Sequence, residues 1–312
     1  MRRVLSAIII AATVLSWQQH PLAWHAKGHM AVAYIAWQRL TPAMRRRVTT
    51  LLAKNPSIGD WRRRLSSVPA AQKDQMMFLL AAVWPDDIKS DPRYDNTHDT
   101  ANDPLARQNI GYSDHFQHRS WHYVDHPFSE DGTPLIPVPG VNAEERIERF
   151  RQTIASSADD DVKSYDLVWL EHLVGDVHQP LHATTRVSAQ QSLGDFGGNS
   201  VTLTLQCRGC PAELHAFWDG VVGETHRPTV AAAFGMTLED PDERAAAIDD
   251  VATWTNESFR LARSTVYVPP IGAGAGPFSL TAAYRSAALD IARERIALGG
   301  ARLANLINAN LR

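Results

Sequence analysis

The 312-residue chain has 44% hydrophobic and 21% charged side chains and a formal net charge of −3, the composition of a soluble globular protein with ample core. That charge excludes attraction to a polyanion through bulk electrostatics, so such a partner would have to be held by metal ions and a few local cations. The two cysteines, Cys207 and Cys210 in C-R-G-C, leave a structural zinc finger two ligands short and fit a short-loop disulfide in an oxidising compartment.

Arg2-Arg3, an apolar run over 4–17 and a polar stretch over 18–23 have the order of a secretory signal, although Pro21 stands where cleavage sites favour a small residue. The run is too short for a spanning helix. Residues 1–23 are therefore expected to be removed, giving a secreted or periplasmic protein with no stable membrane anchor. A cut after Ala23 would make Trp24 the first residue of W-H-A-K-G-H, its free α-amine beside a backbone carbonyl and His29 five positions on. The chain end then becomes a candidate metal chelate.

Apolar spacing predicts a helix over 28–40, and Thr41-Pro42 reads as the cap and first turn of the next. Helical periodicity recurs over 69–83, 142–156, 162–177, 243–264 and 279–309. Residues 89–120, rich in Asp, Asn and His, read as a long loop whose His98, His115 and His118, with His126 nearby, are expected to be solvated. From 186 to 205, glycines followed by V-T-L-T-L alternation suggest a β-hairpin. The sum is one mainly α-helical domain over 24–312 with a small β-hairpin excursion.

The chemistry concentrates in a few segments. In H-L-V-G-D-V-H-Q-P-L-H, His172 and Asp176 are four apart and within about 40° of one helix face. That is chelating spacing for zinc. Gln179-Pro180 ends the helix and lets His182 swing back. His215 and Asp219 repeat the spacing among large apolar groups. Asp86 lies in W-P-D-D-I-K, three residues before Lys89, and His122 lies between two aromatics in W-H-Y-V-D. Charges embedded among apolar residues need a compensating partner, and together these segments point to a multi-metal site.

The ordered set W-x-x-x-G-H, W-x-D-x-I-K, W-H-Y-x-D, H-L-x-G-D-x-H-Q-P-L-H, G-G-N and H-x-x-W-D resembles the P-one/S-one type nucleases, single-strand-preferring zinc enzymes with the all-α phospholipase C/nuclease-like fold. The resemblance spans 24–219, and the helical remainder suits the same fold. It implies three Zn2+ ions: one on Asp86, His122, His172 and Asp176; one on His182, His215 and Asp219; one on the Trp24 amine and carbonyl with His29 and Asp176, which would bridge. It further implies hydrolysis of single-stranded DNA and RNA by a metal-bound hydroxide to 5′-phosphorylated products, with 3′-nucleotidase activity as a companion reaction. Asp86 and Lys89 would serve the reacting phosphate, and Tyr123, Asp125 and Asn199 the substrate. His178 matches no ligand position and is expected to pack behind the ligands. A zinc-dependent phospholipase C is the alternative on the same fold; Asp219, where that branch has glutamate, and the short spacing from Trp24 to His29 argue against it.

Overall fold

The computed structural model describes residues 24–312; the expected leader, residues 1–23, lies outside them. The chain opens with α1 (Ala26–Arg39), α2 (Pro42–Leu52), α3 (Ile58–Arg64), α4 (Ala70–Ala81) and the single turn α5 (Trp84–Asp87). A long excursion carries the short strand β1 (Pro127–Ser129) before α6 (Ala143–Ala155) and α7 (Asp160–Asp176). Then follow β2 (Thr185–Val187), α8 (Leu214–Asp219), α9 (Pro228–Gly235), α10 (Glu243–Ala246), α11 (Val251–Leu261) and α12 (Ala282–Asn310). Among the described residues no helix is long and apolar enough to cross a membrane.

Local sequence sets the helix starts. The Thr41 hydroxyl accepts from the Met44 N–H at 3.2 Å, with Pro42 in the first turn, where its missing donor costs nothing. Asn142 caps α6 through the Glu145 N–H at 3.0 Å, and Glu144 and Glu145 complement the positive end of that helix. α7 is buried on every face from Lys163 to Asp176, as befits a helix that runs through the core rather than over it.

Around α7 gather α1, α2, α6 and α12, and α1 packs along α12. Gly300 permits that approach: a Cβ there would lie 2.6 Å from the Ile35 Cβ and 2.7 Å from the Val32 carbonyl oxygen. A second, smaller core, including Phe128, Leu181, Val201, Leu214, Trp218 and Tyr284, sits under the segment that follows α7. The C-terminal end of α7 lies between the two cores, and the candidate site forms there.

The expected helices appear at 26–39, 70–81, 143–155, 160–176 and 282–310, and the fold is the expected mainly helical one. Two local expectations need correction. The stretch 243–264 breaks after Ala246, because Asp250 takes up a new cap on the Thr253 N–H at 2.9 Å and α11 starts afresh. The β element is two-stranded and small, as expected, but its strands pair in parallel across a long separation, Phe128 opposite Arg186. The alternating segment instead makes single bridges, Thr202 with Glu213 and Leu203 with Phe278. The reason lies at 194–198, where the buried Asp195 carboxylate accepts from the Arg186 N–H, the Gly198 N–H and the Tyr267 hydroxyl. Those bonds curl the chain through left-handed Gly194, Phe196, Gly197 and Gly198 instead of a hairpin. The loop expected over 89–120 is present, braced by short 3-10 turns at 104–107, 111–113 and 119–122.

Replacing Gly300 with alanine should force α1 and α12 apart and cost about 1–3 kcal/mol of stability. A lowered denaturant midpoint with unchanged slope would show this; an unchanged midpoint would mean the contact is not constraining.

Candidate metal centre

Three groups of side chains from five stretches of the chain converge at the end of α7: His29, His172 and Asp176; Asp86, His122 and His172; His182, His215 and Asp219. All are buried. Helical spacing sets the two i,i+4 pairs, with His172 Nε2 at 3.3 Å from Asp176 and His215 Nε2 at 3.4 Å from Asp219. α1 contributes His29, whose Nε2 lies 3.3 Å from Asp176 Oδ1 and whose ring stacks on His172 at 3.9 Å. The other Asp176 oxygen, Oδ2, faces His122 Nδ1 at 3.0 Å and His172 Nε2. Asp176 thus presents one oxygen to each of two groups. Asp86 Oδ1 lies 3.6 Å from His172 Nε2 and accepts from the Lys89 ammonium at 2.8 Å.

The tautomers follow from the hydrogen bonds. His172 Nδ1 donates to the Ala82 carbonyl at 2.8 Å, His182 Nδ1 to the His122 carbonyl at 2.7 Å, and His215 Nδ1 to the Gly197 carbonyl at 2.7 Å. Each Nε2 therefore carries a lone pair rather than a proton. Yet His182 Nε2 and His215 Nε2 face one another at 3.1 Å, an arrangement that repels unless a cation sits between them. His122 Nε2, Asp86 Oδ2, Asp176 Oδ1, Asp219 Oδ2 and both His29 nitrogens have no hydrogen-bond partner. So many orphaned polar atoms in one buried place, with His29 Nε2 and Asp176 Oδ1 facing at 3.3 Å, fit a set of divalent cations. Imidazole nitrogen and carboxylate oxygen are ordinary donors to zinc.

Electrostatics agree. Burial pushes the His29 and His215 imidazoles down to about 4 and holds His122, His172 and His182 well below their ordinary value. They stay neutral, as metal donors must. Burial pushes the Asp176 and Asp219 carboxyls well above the carboxylate range, and neighbouring carboxylates add to the effect. Their ionised forms need positive charge close by. Gln179 donates to Asp219 Oδ1 at 2.7 Å and fixes that carboxylate, a role its place in the helix-ending Gln-Pro pair only half suggested.

Three of the segments that deliver ligands share one support. Trp84, Trp121 and Trp169, each one to three residues before Asp86, His122 and His172, meet edge to face, Trp84 with Trp169 at 6.5 Å and Trp121 with Trp169 at 4.8 Å. The Trp24 indole N–H donates to the Gly175 carbonyl at 3.0 Å, which seats the start of the chain's described part beside Asp176. Gly175 leaves room for the His29 ring, since a Cβ there would lie 2.8 Å from His29 Nδ1. One expectation is overturned here. His118 is fully buried, not solvated, because it stacks on Trp121 at 3.5 Å and shares a hydrogen bond of 2.8 Å with buried Asp114. It anchors the turn 119–122 that ends in His122. His115 is exposed as expected, and His98 and His126 are half-buried. His178 packs toward α12, donating to the Val174 carbonyl and accepting from Arg302.

Above the ligands opens a cleft of ≈ 1690 Å³ whose wall includes Lys89, His122, Tyr123, Asp125, His182, Asn199 and His215. Trp24, His29, Asp86, His172, Asp176 and Asp219 do not line it. Asn199 serves the turn as well, donating to the Phe196 carbonyl at 2.6 Å. Phe196, which the sequence reading passed over, also lines the cleft, with left-handed backbone and 53% of its surface exposed; its only sequence signal is its position before two glycines. Cys207 and Cys210 form the expected disulfide at the cleft's edge.

Comparison with known proteins places this geometry in context. The family model described as S1/P1 nuclease matches residues 24–312. Nuclease P1 of Penicillium citrinum is 24% identical over 305 residues, 91% of this chain and 97% of that protein. Endonuclease 3 of Arabidopsis thaliana is 25% identical over 73% of this chain and 76% of its own length. Endonuclease 4 of the same plant is 30% identical, but over 49% of this chain, which spans only 54% of that relative.

Exhaustive chelation should lower the melting temperature by about 5 °C or more, with recovery on adding back a divalent cation. An unchanged melting curve after verified metal removal would mean that the orphaned donors are tolerated without a cation.

Proposed function

The chain belongs to the S1/P1 nuclease family, and from that premise we propose that it is a zinc-dependent phosphodiesterase that cuts single-stranded DNA and RNA to 5′-phosphorylated products, with 3′-nucleotidase activity on mononucleotides. The observation that carries this reading is the set of buried His/Asp groups beside a cleft of ≈ 1690 Å³. A phospholipase finds no support among the relatives, each of which is named as a nuclease.

The ligand sets inferred from the sequence suit the donors present: Asp86, His122, His172 and Asp176 for one ion, His182, His215 and Asp219 for a second, and His29 with Asp176 and the freed Trp24 terminus for a third. Zinc held there supplies Lewis acidity toward the phosphate and brings the pKa of water from 15.7 toward about 7. The chain's own residues do the rest. Lys89 orients Asp86 and offers positive charge at the cleft wall. Lysine there acts as a point charge, without the fork an arginine would bring. The Tyr123 ring offers a face on which an unpaired base stacks, worth about 1–3 kcal/mol and tolerant of sequence. Asp125 accepts from base N–H groups, and Asn199 offers a further polar contact. A base locked in a duplex cannot reach such a pocket, hence the preference for single strands.

Export accords with the disulfide, which persists in oxidising compartments. The leader over 1–23 and the exposure of the Trp24 amine are read by N-terminal sequencing of the mature protein.

Purified protein should release 5′-phosphorylated ends from single-stranded DNA and leave phosphatidylcholine intact; the reverse pattern would overturn the reading. Metal analysis should find about three zinc ions per chain, with Asp176→Asn losing two and His29→Ala one. Equal single-ion losses would refute the bridging role. Desolvation, with the Asp195 charge adding, pushes the Asp125 carboxyl up to about 7. The accepting, ionised form then dominates only above that pH. KM for an oligonucleotide should rise as pH falls through about 7, and Asp125→Asn should abolish this limb; a limb that persists in the variant assigns it to another group.

A further inference from the structure

Three arginine or lysine side chains line the cleft, and two are already paired: Lys89 with Asp86 at 2.8 Å and Arg119 with Asp99 at 3.4 Å. The third, Arg285, lies in the first turn of α12. Among the described residues it has no ion-pair partner; the cleft's carboxylates Asp99, Asp125, Glu213 and Glu224 make none with it. Its guanidinium lies 5.4 Å over the Phe217 ring and donates through Nη2 to Gln206 Oε1 at 2.7 Å. Gln206 is itself held, donating to the Leu280 carbonyl at 3.1 Å.

That placement is costly without an anion. A cation in the first turn of a helix meets the positive end of the helix dipole, and α12 is 29 residues long. The contacts that hold the guanidinium, an amide oxygen and a ring face, leave its charge uncancelled and most of its donors free. Phe217 projects from the face of α8 away from His215 and Asp219, but Arg285 lines the same cleft as His122, His182 and His215, so the free charge and the metal centre share one cleft. A guanidinium matches the oxygens of a phosphate with two parallel hydrogen bonds.

We propose that Arg285 forms a phosphate subsite: it holds an internucleotide phosphate other than the one being cut, so that chains longer than a dinucleotide bind more tightly. Gln206 is the positioning residue that aims it. This rests on the nuclease reading above.

The test compares zinc-loaded wild type with Arg285→Ala, Arg285→Gln and Arg285→Lys, on a dinucleotide and on a single-stranded oligonucleotide several times longer. The neutral variants should raise KM for the oligonucleotide roughly tenfold, the loss of one charge-assisted contact, with kcat nearly unchanged. The slope of log(kcat/KM) against log salt should shrink by about 0.7, the single-strand value for one phosphate. Arg285→Lys should keep the slope. The dinucleotide, whose only internucleotide phosphate is the one cut, should respond far less. An equal loss on both substrates, or an oligonucleotide salt slope unchanged in both neutral variants, overturns the subsite while leaving the nuclease reading intact. Wild type that cuts neither substrate removes both.

Discussion

Three buried carboxylates, Asp86, Asp176 and Asp219, and five neutral imidazoles converge in a space where the protein supplies almost no positive charge of its own. Lys89, bound to Asp86, is the exception. Desolvating such groups is unfavourable, and leaving them unpaired more so. The arrangement is sensible only around metal ions, and the rest of the fold can be understood as what holds it together before and between metal-binding events.

Holding it takes two devices. Backbone carbonyls of Ala82, His122 and Gly197 fix the tautomers of three histidines, so that the donor nitrogens are chosen by the scaffold and not by the ion. A cluster of tryptophans beneath them locks together the segments that supply Asp86, His122 and His172. Each aromatic contact contributes about 0.5–1.5 kcal/mol beyond the area it buries. The His118–Asp114 pair adds a polar brace to the same cluster.

The cleft above is built from different material. Its wall mixes an aromatic face, carboxylates and a few cations, most of them already paired. On the proposed reading recognition there is local, by stacking and single charges, and the chain's overall negative charge offers no help in gathering a polyanion. On the proposed reading the metal ligands come from helices α1, α5, α7 and α8 and from the turns 119–122 and 180–183, while Tyr123, Asp125 and Asn199 stand on the loops beside them.

Much of this was legible in the sequence. Spacing of four put His172 over Asp176 and His215 over Asp219, because helical periodicity is local. Thr41-Pro42 marked a helix start for the same reason, and the ordered motifs pointed to the family. What spacing could not decide were contacts between residues far apart in the chain. That Asp176 turns one oxygen to His29 and the other to His122 depends on α1 and the turn 119–122 meeting α7. The burial of His118 depends on Trp121 lying flat against it, and the parallel pairing of 127–129 with 185–187 on Asp195 curling the chain away from a hairpin. Arg285 reaches the cleft only because α12 begins beside α8. Local chemistry fixed the pairs; packing of distant segments decided which pairs meet, since side-chain burial is a property of the assembled core and not of any one stretch.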